Sequence, residues 1–168
     1  MKFKVINKEV LYALDNFTNV NGGDLELLKD KASKNPRKRI RFCAHKDTDD
    51  TLHEMLIIHS KGAYVRPHKH LNKSESFHII EGHLKVVIFD EVGSINKVIN
   101  MGDYASGNIF FYRLTDERFH TVIPISDVVA FHETTNGPFC REDTVFASWA
   151  PTEDDDYEVQ EAFLDKLK

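Results

Sequence analysis

The chain is poor in cysteine: Cys43 and Cys140 are the only two in 168 residues. Two cysteines cannot make the disulfide framework of a small secreted domain. Reduced thiols are the default in a cytosol. Neither has a second cysteine nearby, so both are poor metal-ligand candidates, and Cys43, following Phe42 in a strand-like run, reads as a small core residue. Long hydrophobic runs are missing too. No stretch approaches the roughly 18 consecutive apolar residues of a membrane span. Met1 to Glu9 has a basic start but no continuous apolar segment, which argues against a secretory signal. We therefore expect a cytoplasmic protein with no membrane partner. Basic excess is also absent, and a formal net charge of −5 does not favour nucleic acid. Seven acidic residues against two lysines from Glu153 to Lys168 carry that whole net charge, so the rest of the chain is balanced. The chain shows no internal repeat, low-complexity linker or second domain. Its length fits one domain of about 100–200 residues, enough to bury a core.

What is present is a stretch from Gly62 to Gly82. His68 and His70 are two apart, and on a strand such residues share a face. Glu75 lies beyond the polar turn Leu71 to Ser74 and opens an apolar run in which Glu75, Phe77 and Ile79 share a face. A hairpin return would bring this carboxylate against the two imidazoles. Two neutral nitrogens and a carboxylate suit a divalent transition metal. A His-x-His pair alone is common on solvated strands. Glu75 at a hairpin-compatible distance strengthens it, as do Gly62 and Gly82, placed for tight turns at both ends.

The remaining segments read as follows. Residues 1–35 form a leader of strand, loop and helix, with Asp24 as a helix cap and Asn35-Pro36 as its stop. Arg37, Arg39 and Arg41 alternate onto one face. They suit either a solvated edge strand or an anion site for a phosphate, carboxylate or sugar nucleotide. No aromatics interleave with them to stack on bases. Leu52 to Ser60 is a strand whose His53 and His59 lack a carboxylate partner and read as structural or exposed. Leu84–Asp90 and Ile95–Ile99 make a further hairpin. Asn108–Tyr112, Phe119–Ile125, Asp127–Glu133 and Thr144–Trp149 supply more strands. His132 and Glu133 point to opposite faces, and His132 reads as structural. Residues 153–168 are an acidic helix, with Val159, Ala162, Phe163 and Leu167 near helical spacing, docking on the barrel or on a partner subunit. Many short strands with frequent turns, and helix only towards the ends, indicate an all-β sandwich or barrel.

The central stretch resembles the first cupin motif at every defined position: Gly62, five residues, His68-x-His70, four residues, Glu75, six residues, Gly82. Over residues 34–152 the chain is similar to the WbuC-type cupin-fold metalloproteins associated with bacterial surface-polysaccharide gene sets. Carrying that likeness are Pro36-Arg37-Lys38-Arg39-Ile40-Arg41 ahead of His45, Arg66-Pro67-His68-Lys69-His70, Phe77-His78-Ile79-Ile80-Glu81-Gly82, Phe119-His120-Thr121-Val122, Gly137-Pro138-Phe139 and Trp149-Ala150-Pro151. The resemblance implies a single cupin jelly-roll β-barrel over residues 36–152, and it implies His120 as the third histidine ligand. Around His120 the second motif departs from the family: the usual Pro-x-Gly is missing and Pro124 stands where asparagine is common. The resemblance further implies one divalent transition metal (Fe, Mn, Ni, Co or Zn) held by His68, His70, Glu75 and His120. It points to a small polar substrate, such as a sugar or sugar nucleotide, and to a homodimer. Isomerisation, epimerisation and oxygen-dependent cleavage all fit, with Glu81, His78 and Tyr64 as candidate acid–base groups. A non-catalytic sugar-binding or sensing module fits as well.

Overall fold

A computed structural model describes residues 1–167. The chain opens with strands β1 (Phe3–Val5) and β2 (Val10–Ala13) and helix α1 (Gly22–Lys34). The helix is capped by Asn21, not Asp24. The Asn21 side chain accepts the Asp24 backbone N–H, and the Asp24 carboxylate accepts the Asn21 N–H, a reciprocal capping box. The sequence reading set the cap three residues late because Gly22 and Gly23, taken for a turn, already lie in the helix.

Strands β3 (Arg39–Cys43) and β4 (Leu52–Ser60) pair antiparallel. Period-two alternation sorts their side chains. Ile40, Phe42, Leu56 and Ile58 turn towards α1 and bury with Leu28 and Ala32. Full burial of a side chain such as Leu28 contributes about 1.5–3 kcal/mol. Arg39, Arg41 and Ile57 turn the other way, into a cavity. β3 is not an edge strand, because β2 pairs with it in parallel on its free side. The residue 1–35 segment thus adds two strands to the sheet as well as a helix over its back.

The expected hairpin between β5 (His68–His70) and β6 (Glu75–Glu81) does not form. β5 lies between β10 (Phe119–Pro124) and β12 (Thr144–Phe146), while β6 lies between β9 (Phe111–Leu114) and β11 (Val128–Asn136). The turn at Leu71 to Ser74 instead carries the chain from one sheet to the other. The hairpin of β7 (His83–Phe89) and β8 (Ile95–Gly102) forms as expected. Two sheets result, ordered β1-β2-β3-β4-β11-β6-β9 and β12-β5-β10-β7-β8. Gly82, at φ +83°, makes the step from β6 in one sheet to β7 in the other.

Between the sheets, Met55, Phe77 and Phe131 of the larger pack with Leu84, Val86, Met101 and Val122 of the smaller. The back of the smaller sheet presents Val87, Phe89, Phe119 and Ile123, which bury with Ala150 and α2 (Tyr157–Asp165). The chain is therefore mostly β with one helix towards each end. Residues Leu164 and Leu167 make the buried contact of α2, while Val159 stays exposed. Of the expected apolar face Leu167 is buried and Phe163 half-buried, while Val159 and Ala162 stay exposed because the nine-residue helix meets the sheet through its last turn. Among the described residues no helix is long and apolar enough to cross a membrane.

Candidate metal centre

Two strands of the smaller sheet bring three histidines together. His68 and His120 are direct partners across the antiparallel β5–β10 pair, so they share a face. His70 lies two residues along β5 from His68 and shares it too. The ring centroids of His68 lie 4.9 Å from His70 and 4.7 Å from His120. One ligand nitrogen from each ring lies within 4.8 Å of the others. Glu75 reaches in from the opposite sheet, as the first residue of β6. Its Oε1 is 2.7 Å from His120 Nε2 and its Oε2 is 3.5 Å from His70 Nε2.

The nitrogens not facing the centre are anchored. His68 Nδ1 lies 2.9 Å from the Arg66 carbonyl, and His120 Nδ1 lies 2.9 Å from the Arg118 carbonyl. A carbonyl only accepts, so Nδ1 carries a proton in both rings and Nε2 is the nitrogen left to face the centre. His70 Nδ1 is 3.3 Å from Thr144 Oγ1. This is how histidines that hold a metal are usually oriented. Glu75 Oε1 and His120 Nε2 are both buried and lie 2.7 Å apart, a contact that favours the charged form of each side chain. Three imidazole nitrogens and a buried carboxylate gathered at one site fit a shared cation.

Charge follows the same geometry. Burial, with His120 and His70 nearby, pushes His68 down to about 3, so the ring is neutral. Burial alone would lower His120 as well, but the Glu75 carboxylate outweighs it and raises the ring above its usual value. Burial opposes ionisation of Glu75, yet His120 and His70 hold its carboxyl well below the usual range.

The centre opens into a cavity of about 650 Å³ between the sheets. Arg37, Arg39 and Arg41 all line it. Two of them are already engaged: Arg39 Nε is 2.9 Å from Glu9 Oε2, Arg39 Nη2 is 3.2 Å from Glu153 Oε1, and Arg37 pairs with the same two carboxylates. Arg41 has no carboxylate partner among the described residues, and its Nη1 lies 3.7 Å from Met55 Sδ. Three residues expected to do acid–base work lie elsewhere. Glu81 would share the face of Glu75 in a regular strand. The β6–β11 register slips between Glu81 and Ile79, however. Such a bulge reverses the alternation. Glu81 meets Lys29 of α1 instead, at 2.6 Å. His78 is exposed beside Phe110 on the outer face. The Tyr64 hydroxyl donates to the Pro151 carbonyl at 2.7 Å, and the side chain packs behind the smaller sheet.

Glu133 is the cavity carboxyl that sequence reasoning passed over. It alternates with Phe131 on the inner face of β11, and both line the cavity. That alternation is the signal for it in the sequence, whereas the neighbouring His132 faces outward towards Glu54 at 3.8 Å. Burial, then the Glu75 carboxylate, push Glu133 up to about 8, against the opposing pull of Arg41 and His120. The folded state therefore binds this proton more tightly than the unfolded chain. The stability this contributes is complete below pH 4.5 and is lost as pH rises towards about 8. Part of the side chain reaches the cavity surface, which discounts the effect to on the order of 1–3 kcal/mol. In chelator-treated protein, Glu133→Gln should match the parent in urea at about pH 4.5 and gain on it steadily up to about pH 8.5. A gap that stays constant over this range would refute the buried-carboxyl argument.

Residues 20–101 match the model of a domain of unknown function (DUF6016), just under half of the chain. A search of curated proteins finds no match. Protein SO0799 of Shewanella oneidensis has a similar structure, with 12% identity and a TM-score of 0.50 over 61% of this chain and 66% of that one. The cupin domain of Schizosaccharomyces pombe Cnp3 aligns with 14% identity and a TM-score of 0.46, over 59% of this chain and 64% of that one. Oxalate decarboxylase from Bacillus subtilis aligns with 20% identity and a TM-score of 0.47, over 58% of this chain and 24% of that one. The chain thus spans just under two thirds of the first two and about a quarter of the third. The first likeness is one of fold alone. The other two, with TM-scores below 0.5, decide nothing further.

Proposed function

We propose that the protein is a cupin metalloprotein. One divalent transition metal ion would be held by His68, His70 and His120 from one sheet and Glu75 from the other. The observation that carries this reading is the convergence of three imidazoles, with ligand nitrogens within 4.8 Å of one another, and the Glu75 carboxylate on one site, beside two rings anchored through Nδ1. Fe, Mn, Ni, Co and Zn all accept such a donor set. When bound, the ion would act as a Lewis acid towards a carbonyl or hydroxyl oxygen.

The reading extends to an enzyme of the WbuC type acting on a sugar or sugar nucleotide, as an isomerase, epimerase or dioxygenase, in surface-polysaccharide synthesis. Within the cavity, Glu133 is positioned to hold a proton near the centre, a role that Glu81, His78 and Tyr64 do not share. The absence of those three from the cavity favours a second reading, a non-catalytic sugar-binding module. Turnover of a bound sugar separates the two. A homodimer completes the proposal, supported by exposed Ile95 and Val98 on β8 and Phe111 on β9, the neighbouring end strands of the two sheets.

The test is elemental analysis of the purified protein beside His68→Ala prepared identically. We expect about one equivalent of a single transition metal in the parent and less than a tenth of that in the variant, the loss expected of a missing ligand. Neither sample holding metal after anaerobic reconstitution would overturn the reading.

A further inference from the structure

The cavity beside the three histidines carries more positive charge than its own carboxylates neutralise. Four carboxyl groups line it: Glu9, Glu75, Glu133 and Glu153. Glu9 and Glu153 are taken by Arg37 and Arg39. Glu75 is taken by the histidines. Glu133 forms no ion pair with an arginine among the described residues. Three further arginines line the same cavity with no carboxylate partner among the described residues: Arg41, Arg66 and Arg141.

Two of these form a platform. The Arg66 guanidinium lies 5.3 Å from the Phe146 ring centroid, and the Arg141 guanidinium lies 5.4 Å from the same centroid. The Phe146 ring is itself 6.0 Å from the His68 ring. One aromatic ring therefore holds two cations next to the candidate metal centre. Arg66 spends its Nε and Nη2 on a single acceptor, the Ala147 carbonyl, at 3.2 and 2.7 Å. A guanidinium has five N–H donors, so donors remain on Arg66, and those of Arg141 and Arg41 find no protein oxygen among the described residues. Arg41 stands on the facing sheet, where its Nη1 lies 3.7 Å from the Met55 sulfur.

We propose that the cavity binds a phosphorylated small molecule, and that Arg66 and Arg141, with Arg41 across from them, seat its phosphate beside the three histidines. A phosphate monoester carries about −1.5 to −2 charge near neutral pH. Three guanidiniums outside any ion pair among the described residues match that better than the single charge of a carboxylate, and guanidinium forks suit phosphate oxygens. A volume of about 650 Å³ leaves room for a sugar-sized body between this platform and the histidines. The proposal deepens the metalloprotein reading, on which it rests for the end of the ligand that meets the metal, but not for the phosphate itself.

The test is calorimetric titration of the full chain after chelator treatment, with glycerol phosphate, inorganic phosphate, glycerol and malonate as probes. We expect glycerol phosphate to bind, to weaken as salt rises, and to lose at least tenfold in affinity in both Arg66→Gln and Arg141→Gln. Glycerol should not bind, and Lys97→Gln, on the exposed part of β8, should match the parent. Arg66→Gln also removes the bonds to Ala147, so thermal midpoints are measured alongside. If that variant is unfolded, Arg141→Gln, on an exposed turn, decides alone. Lack of binding by both phosphates would overturn the proposal, as would affinity unchanged in Arg141→Gln or malonate binding more tightly than either phosphate. Because these titrations need no metal, phosphate binding by a protein that never takes up metal would overturn the metalloprotein reading and leave this one standing.

Discussion

His120→Ala in chelator-treated protein should lose about 3–5 kcal/mol of stability, the cost of leaving a buried charge without its partner. His120 and Glu75 are 2% and 4% exposed, so the carboxylate left behind starts from a poorly hydrated position. The Glu75 carboxylate stays ionised in the folded protein because His120 and His70 offset its burial. Taking away His120 removes the nearer of the two. The double variant Glu75→Gln/His120→Ala no longer buries a charge and should recover a good part of the loss. Urea unfolding of the parent, both single variants and the double variant closes the cycle. A double variant no more stable than His120→Ala would remove the charge argument and leave only lost packing.

The pH dependence of that cycle has a definite sign. Glu75 has a depressed pKa, so its contribution is present above its unfolded value and lost as pH falls through the folded one. His120 has a raised pKa, so its contribution is present below its unfolded value and lost as pH rises through the folded one. The coupling should therefore be largest between these limits and shrink in both acid and alkali. Once a metal is bound, the same two residues should couple through the ion, and His120→Ala should cost metal content as well as stability.

Gly82→Ala should be nearly as damaging, although it touches no candidate ligand. At φ +83° any side chain is strained, at about 1–2 kcal/mol. The new Cβ would also stand 2.4 Å from the Val128 carbonyl oxygen and 2.5 Å from Ser126 Oγ. Neither can yield cheaply. The Ser126 hydroxyl donates to Val128 O at 2.6 Å and accepts the His83 N–H at 2.9 Å. The clash would thus push on the start of β11 and the start of β7 together. A total of about 3–5 kcal/mol is expected, in the range of severe core lesions. Gly107→Ala is the control. Its φ is +74° but nothing lies within 4 Å of the new atom, so only the conformational cost of about 1–2 kcal/mol applies. Equal losses in the two variants would mean that the close approach at Gly82 does not matter.

Much of the β content was legible because strand periodicity is local. His68 with His70, Ile57 with His59, and Leu84 with Val86 and Ile88 follow from alternation alone. The β7–β8 hairpin was legible for the same reason, a short turn between two alternating runs. Where alternation failed, a feature of pairing intervened. The slip at Ile79–Glu81 is set by how β6 meets β11, and it sends Glu81 to Lys29. The hairpin reading of β5 and β6 failed because a four-residue polar turn can close a hairpin or cross between sheets. Only the partners available to each strand choose between them.

Sequence by itself determined which residue types share a face, where tight turns need glycine, and that a His-x-His pair and a following carboxylate lie on successive strands of the chain. Tertiary structure alone decided the rest. That His120 stands opposite His68, that Glu75 arrives from the other sheet, that Glu133 and not Glu81 faces the cavity, and that Glu9 and Glu153 engage Arg37 and Arg39 are all contacts across long stretches of chain. Such contacts follow from strand order and register. These are chosen by the burial of whole faces between two sheets, a property that no window of neighbouring residues contains.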